Sequence, residues 1–501
     1  MYSKYYTSVM KEEDLKRIKD LRTIKELCEF CAENYSGLTA IRGEGLEKTY
    51  KELLDDVASV RGFLKAQGYK KGDHIGMMLK NEYDFVKSFL GITTLGAVAV
   101  LIPLQTPTSN LSNVFARTDL AGLIFSRDIA EVIKDLNLSF KAFCQDDVKG
   151  KAADYENVTP DMKAAIIFTG GTIGIPKSVL LSQGNMMRGT VSGAFGTYGV
   201  WFQRYYALIP FTHVFGIIRN CLTVMYTGSQ NYMCENMKNL ITDLPKAKPT
   251  YLVLVPALAD IIWGLMMKDK NLVGGSLTNI ICGGAAVVPS LTKKLGDLGV
   301  LVSPGYGLTE SSNLVSGNAH ADKKPLSVGF PYDHQELKIV NNELWLKGEN
   351  IMMGYYNNDA ANKESFEDGW FKTGDLVKID DDGELQIVGR IKNTIILENG
   401  ENVSPEALEN LINDIPLVKD TLVYEGTNAI GKPIIVAEVF ADANVVAKMN
   451  VTDVFGVIQA EIDKINAKLP SYSNVHKLIL RETDFERSAS LKIIRKRSDK
   501  K

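Results

Sequence analysis

At 501 residues the chain is longer than one hydrophobic core usually serves, and its 45% apolar content is enough to fill two or more domains. Fifty-seven basic residues against 60 acidic ones leave a formal net charge of −3, which excludes a nucleic-acid footprint spread over the surface and favours small-molecule partners. The first twenty residues lack the apolar centre of a signal peptide, and the greasiest stretch, 89–104, is interrupted by Gly91, Thr93, Thr94, Gly96 and Pro103, so a soluble, cytoplasmic protein with no transmembrane segment is expected.

The first element to interpret is CEFC. Ile24, Leu27, Cys28 and Cys31 fall at i, i+3, i+4, i+7, the buried face of a helix, and no second CxxC exists to complete a zinc site. The six cysteines are otherwise scattered, as in a reducing compartment. From Thr49 a helical pattern runs to about Gly68, a KKGD turn follows, and HIGMML predicts a buried strand. A helix over 83–95 precedes the apolar run AVAVLIPL. This alternation predicts α/β architecture with largely parallel sheets. Residues 164–168 predict another buried strand, with 179–181 as its hairpin-like or neighbouring partner.

Beyond about Glu343, NELWLKG and DDGELQIVGR mark a small β-rich passage. SPEALENLIND then opens a helix behind Ser404 as N-cap, and a second helix over 451–469 ends at Pro470. The last hundred or so residues predict a small α+β domain joined near Lys392. The basic tail, KIIRKRSDKK, would ordinarily be a solvated terminus.

Between the two central strands lies FTGGTIGIPKSV, a segment that packing alone cannot hold. Its glycines let backbone N–H groups converge on phosphate oxygens, its threonines add donors, and Lys177 adds charge, so a nucleoside triphosphate is the natural guest. A Walker A loop is a poor alternative, because Pro176 precedes Lys177 and a strand, not a helix, follows.

FTGGTIGIPKSV resembles the phosphate loop of the adenylate-forming superfamily, which includes acyl-CoA synthetases, peptide-synthetase adenylation domains and luciferases. Further motifs of that family follow in order: PFTHVFG, CGGAAVVP, GYGLTE, NELWLKG, WFKTGD, GRIKN and ENGENVSPEALE. The resemblance covers nearly the whole chain. It implies a large N-terminal domain, 1–390, and a small mobile lid domain, 393–501, with the hinge at Lys392. It also implies the chemistry: ATP and a carboxylic acid form an acyl-adenylate and pyrophosphate, after which a thiol takes the acyl group. Two anions must meet in the first step, so fixed cations and donors carry the catalysis.

By the same resemblance, Thr169, Gly170, Gly171, Thr172, Gly174 and Lys177 would cradle the β- and γ-phosphates. Thr309 and Glu310 would contact phosphate and hold Mg²⁺, with Gly307 beside them in the same motif. Gly283, Gly284, Ala285 and Tyr306 would wall the adenine site. Asp375 would accept the ribose hydroxyls, and Arg390 would support ribose or phosphates. His213 would stand beside the acyl site. Lys492 would bridge carboxylate and α-phosphate, with Lys477 as the fallback. Rotation about Lys392 would withdraw Lys492 and bring Gly400 and Glu401 to the thiol channel.

The chain departs from the family pattern at Gly170, Ile173, Gln183, Asn393 and Leu491, where serine, threonine, histidine, aspartate and glycine are usual. Two missing loop hydroxyls would weaken ATP binding by about 1 kcal/mol each. The resulting expectation is an ATP-dependent acyl-CoA synthetase for a fatty or other apolar acid, with ATP, Mg²⁺ and CoA as its small molecules. The alternatives are an adenylation enzyme loading an acyl-carrier protein in trans, and an AMP-binding protein that has lost ligase activity.

Overall fold

Side-chain caps fix where the first helices begin. Thr23 and Thr49 each close a capping box, with Glu26 and Glu52, ahead of the helices Ile24–Asn34 and Tyr50–Ala66. Cys28 and Cys31 are buried free thiols on the inner face of the first, as their spacing predicts. The computed structural model describes residues 11–169, 176–194, 200–397, 401–428, 431–487 and 493–496.

A seven-stranded sheet is ordered Gly354–Tyr355, Ser178–Ser182, Lys163–Phe168, Val98–Leu101, His74–Met78, Leu120–Phe125, Lys141–Cys144. Pairing is parallel from Lys163–Phe168 outward to Lys141–Cys144, where helices cover the crossovers. This sheet is thus largely parallel, as expected, and its remaining strands run antiparallel. Lys163–Phe168 and Ser178–Ser182 form an antiparallel hairpin, and Gly354–Tyr355 adds antiparallel to its outer strand. Thr169 N–H donates to the Lys177 carbonyl at 3.0 Å, which extends the hairpin by one rung and closes the glycine-rich loop at its root.

A second sheet runs Tyr251–Leu254, Asn279–Gly283, Leu301–Leu308, Asn313–Gly317, Phe330–Pro331, parallel across its first three strands and antiparallel after them. A third, of four strands, joins Leu46–Thr49, Thr39–Gly43, Gln230–Met233 and Arg204–Ala207. The predicted β-rich passage is an antiparallel sheet in which Glu343–Gly348 pairs with Trp370–Ile379, and the latter with Leu385–Arg390.

The buried apolar side chains up to Val377 form cores separate from those of residues 395–485. The smaller C-terminal part is α+β: Val418–Thr427, Pro433–Ala441 and Lys477–Arg481 form its sheet, and Pro405–Asn413 and Val454–Asn466 pack on it. Ser404 caps the first helix as expected, accepting from Ala407 N–H at 3.2 Å. The second begins three residues later than the expected 451, because Asp453 caps it by accepting from Gly456 N–H at 2.8 Å. Lys477, the fallback lysine, opens a strand of this small sheet and is exposed. Among the described residues no helix is long and apolar enough to cross a membrane.

Candidate active site

The glycine-loop hairpin, the second sheet and the antiparallel sheet meet at one cleft. In Leu301–Leu308, burial alternates so that Tyr306 points inward. Its hydroxyl donates to Asp375 Oδ2 at 2.7 Å. Asp375 and Arg390 are register partners on adjacent antiparallel strands, and Arg390 Nε lies 2.6 Å from Asp375 Oδ1. Asp375 is 1% exposed. Burial pushes its carboxyl above the ordinary range, against the pull of Arg390 and Tyr306. Arg390 Nη2 also donates to Oδ2, at 3.4 Å, so Oδ2 takes two donors and Oδ1 one, which leaves Oδ1 a lone pair for a ligand hydroxyl.

Thr309 and Glu310 occupy the turn between Leu301–Leu308 and Asn313–Gly317. A Cβ on Gly307 would fall 1.8 Å from the Asn313 carbonyl oxygen, so the return strand approaches as closely as glycine permits. Ser312 and Asn313 hold positive φ of 53° and 102°, strained for residues with side chains. Met352 N–H donates to the Glu310 carbonyl at 2.8 Å, and the Tyr355 hydroxyl donates to Glu310 Oε1 at 2.8 Å. Burial, then the Glu310 charge, push the Tyr355 phenol up, so it stays a donor. Lys177 Nζ stands 4.4 Å from the centre of the Tyr355 ring. The loop's lysine, an aromatic ring and the turn carboxylate thus form one row.

Gly283 and Gly305 are register partners, and a Cβ on Gly283 would come within 2.9 Å of the Gly305 carbonyl. Gly284, at φ +80°, and Ala285 follow, both exposed at the strand end. His213 caps the helix Val214–Ile217, its Nδ1 accepting from Phe215 N–H at 3.2 Å. The Phe215 ring reaches within 3.7 Å of the Gly283 Cβ position, which ties this helix to the glycine wall.

Lys392 follows Arg390 in a short 3-10 turn. Burial and the Arg390 cation hold its amine below the ordinary lysine range, while Asp375, Glu310 and Glu406 act the other way. The Glu401 carbonyl accepts from Leu397 N–H at 3.0 Å beside the two-stranded ladder of Ile395–Ile396 and Asn402–Val403. The structure therefore gathers Lys177, Tyr306, Gly307, Thr309, Glu310, Asp375, Arg390 and Lys392, with Gly283, Gly284, Ala285 and His213 adjoining. Gly170, Gly171, Thr172, Gly174, Gly400 and Lys492 lie outside the described residues, as do Ile173 and Leu491.

Two departures from the family pattern acquire reasons. Gln183 is fully buried, accepts from Ile24 N–H and donates to the Thr93 carbonyl, each at 3.0 Å. Asn393 donates through Nδ2 to Glu406, where an aspartate would set two carboxylates together. Tyr355 was not anticipated from sequence. Its signal, the YY pair closing IMMGYYNND, is a short β-strand edge whose partner, Glu310, is 45 residues away.

The AMP-binding enzyme family matches residues 28–356, and the AMP-binding enzyme C-terminal domain matches residues 392–501. A long-chain-fatty-acid–CoA ligase of Salmonella typhimurium is 28% identical over 457 residues, spanning 78% of this chain and 81% of its own. A feruloyl-CoA synthase of Amycolatopsis is 26% identical, spanning 76% and 81%. Among solved structures, an anthranilate CoA ligase with anthranoyl-AMP superposes with a TM-score of 0.86 at 20% identity over 95% of this chain and 97% of that one. The o-succinylbenzoate CoA synthetase of Bacillus subtilis with its acyl-adenylate gives 0.79 at 22% identity over 94% and 96%. The ordered motifs, the cleft they build and a match spanning well over half its length agree: the chain belongs to the AMP-binding enzyme family.

Proposed function

We propose that the protein is an ATP-dependent acid–thiol ligase, which activates a carboxylic acid as its acyl-adenylate and passes the acyl group to CoA with release of AMP and pyrophosphate. The observation that carries this reading is the convergence of Lys177, Tyr355 and Glu310 with Tyr306, Asp375 and Arg390 on the edges of neighbouring sheets. One row supplies charge and donors for a polyphosphate, and the other a buried carboxylate for the ribose hydroxyls. Lys392 borders both.

In this reading Thr169 and Lys177, with the glycine loop, bind the β- and γ-phosphates, and Thr309 adds a hydroxyl. Glu310 is the metal ligand. Among the described residues no group of three or more His, Cys, Asp or Glu side chains is arranged to hold a metal. That fits a magnesium ion taken by one carboxylate together with phosphate and water oxygens. Bound there, such an ion would supply positive charge to offset the negative charge of the phosphates. Gly283, Gly284 and Ala285 leave room for a flat purine against the backbone, with Tyr306 below. His213 and Phe215 border the acid. Lys492 neutralises the encounter of carboxylate and α-phosphate. Residues 1–390 and 393–501 act as two bodies about Lys392, exchanging Lys492 for Gly400 and Glu401 at the site.

The relatives' names span fatty, feruloyl and succinylbenzoate acids, which supports an acid with an apolar body, a fatty acid among them. Carboxylate-dependent exchange of pyrophosphate into ATP tests the first half-reaction, and mass measurement of the thioester formed with CoA, or with carrier proteins, tests the second. Nucleotide binding with no exchange for any acid would sink the ligase reading.

A further inference from the structure

The helix behind His213 carries a charge that none of these roles uses. Val214–Ile217, Ile218–Leu222 and Thr223–Tyr226 run on as one helix whose middle is π-helical, a wide turn frequent where function re-aims a side chain. Arg219 sits in that turn and is 1% exposed. Its Nη1 donates to the Ser192 carbonyl at 2.6 Å, and its Nε is buried with no hydrogen-bond partner among the described residues. No ion pair joins it to a carboxylate among those residues either. Tyr205, Tyr251 and Tyr332 surround the guanidinium, which also hydrogen-bonds the Tyr251 side chain. Burial pushes all three phenols up, that of Tyr332 to about 12, so none supplies negative charge at neutral pH. A buried cation in this state is costly until an anion joins it.

Glycines let the surrounding backbone and Tyr332 close in beside it. Gly283, Gly305 and Gly317 are successive register partners across three strands, and the first borders Phe215. A Cβ on Gly317 would lie 2.4 Å from the Tyr332 hydroxyl. One on Gly193, at φ +76°, would lie 2.9 Å from that hydroxyl and 3.9 Å from Arg219 Nη2. The glycine row that starts at the proposed adenine wall therefore ends against Tyr332, beside the guanidinium. Arg219 is six residues beyond His213, about 9 Å of helix.

We infer that Arg219 receives a second carboxylate at the far end of the acid site, so that the substrate is a dicarboxylic acid activated at one end. This rests on the ligase reading and narrows it: a ring or a few methylenes separate the two carboxylates, and a plain fatty tail would meet a cation. The bond formed is between the near carboxylate and the α-phosphate, pyrophosphate leaves, and the distal carboxylate stays ionised and unreacted.

The test uses matched acids on the full-length protein: hexanoate against hexanedioate, octanoate against octanedioate, and benzoate against terephthalate. Pyrophosphate exchange and calorimetric binding are both measured, for wild type, Arg219→Leu and Arg219→Lys. Expected is a preference for the diacid of at least tenfold in kcat/KM, lost in Arg219→Leu and partly restored in Arg219→Lys. Circular dichroism checks that the variants fold, and the wild-type panel decides the matter even if they do not. Equal or better use of the monoacids by the wild type overturns the assignment while leaving the ligase reading intact. Absence of all exchange, with diacids still bound through Arg219, overturns the ligase reading and upholds the assignment. Absence of both exchange and diacid binding overturns the two together.

Discussion

Asp375 and Arg390 owe their contact to strand register, so the pair is formed before any ligand arrives. Asp375→Asn keeps the shape and removes the charge, leaving the guanidinium opposite a neutral amide. A hydrogen bond to a charged group is worth about 1.5–3 kcal/mol, so affinity for ATP is expected to fall by at least tenfold, measured by calorimetry with a non-hydrolysable analogue. Affinity unchanged within twofold would remove Asp375 from the nucleotide site. His334 gives a second residue-scale expectation. Its Nε2 lies 3.2 Å from Ser192 Oγ, and burial, then the Arg188 cation, lower its pKa to about 4. The unfolded chain binds this proton below about pH 6.5 and the folded one only near pH 4, so stability present above pH 6.5 is lost as pH falls through that window. Urea unfolding across the window should show a loss of roughly 2 kcal/mol, allowing for partial solvent screening. His334→Asn should flatten that slope.

At the scale of elements, sequence was legible wherever the signal is local. Thr49, Ser404 and the cysteine pair sit where capping and the 3.6-residue period put them. Asp453 moved a helix start because its side chain competes for the first turn, which hydrophobic periodicity does not register. The ordered motifs likewise named most residues of the cleft, yet left out what holds them. Tyr355 reaches Glu310 only because Gly354–Tyr355 docks on the outer strand of the glycine-loop hairpin, a pairing between residues far apart in the chain. Gln183 is similar. Its amide joins the first turn of Ile24–Asn34 to the last of Tyr83–Thr94, and no local pattern foretells that. Gln183→Ala strands one buried N–H and one carbonyl, so a loss of about 2 kcal/mol is expected, read as a fall in melting temperature. Gln183→Glu should do worse than Gln183→Ala, because burying a charge opposite the Thr93 carbonyl adds desolvation to repulsion.

Across the whole molecule, two cores meet through a few contacts beside the cleft. The Ser404 side chain packs where only glycine fits at 389, Asn393 bonds Glu406, and Ser290 N–H donates to Asp414 Oδ1 at 3.1 Å. Arg495 lies 2.6 Å from Glu409 and 3.5 Å from Glu406 on the helix Pro405–Asn413. Glu406 therefore joins the turn after Arg390 to the C-terminal tail, and any rotation about Lys392 must carry helix and tail together. Lys492 is three residues before Arg495 in the chain, so its delivery to the cleft would be coupled to that helix. Lys492→Ala should then lower adenylation by about 100- to 1000-fold, the usual cost of removing one charge-stabilising donor. Thioester formation from a supplied acyl-adenylate should change by less than threefold. Arg495→Ala should act on the same half-reaction more weakly, by loosening the tail and leaving the amine intact, and added salt should deepen its defect more than that of Lys492→Ala. Equal losses in both half-reactions for Lys492→Ala would mean that one arrangement of the two bodies serves the whole cycle, and that the turn at Lys392 is a joint that does not move.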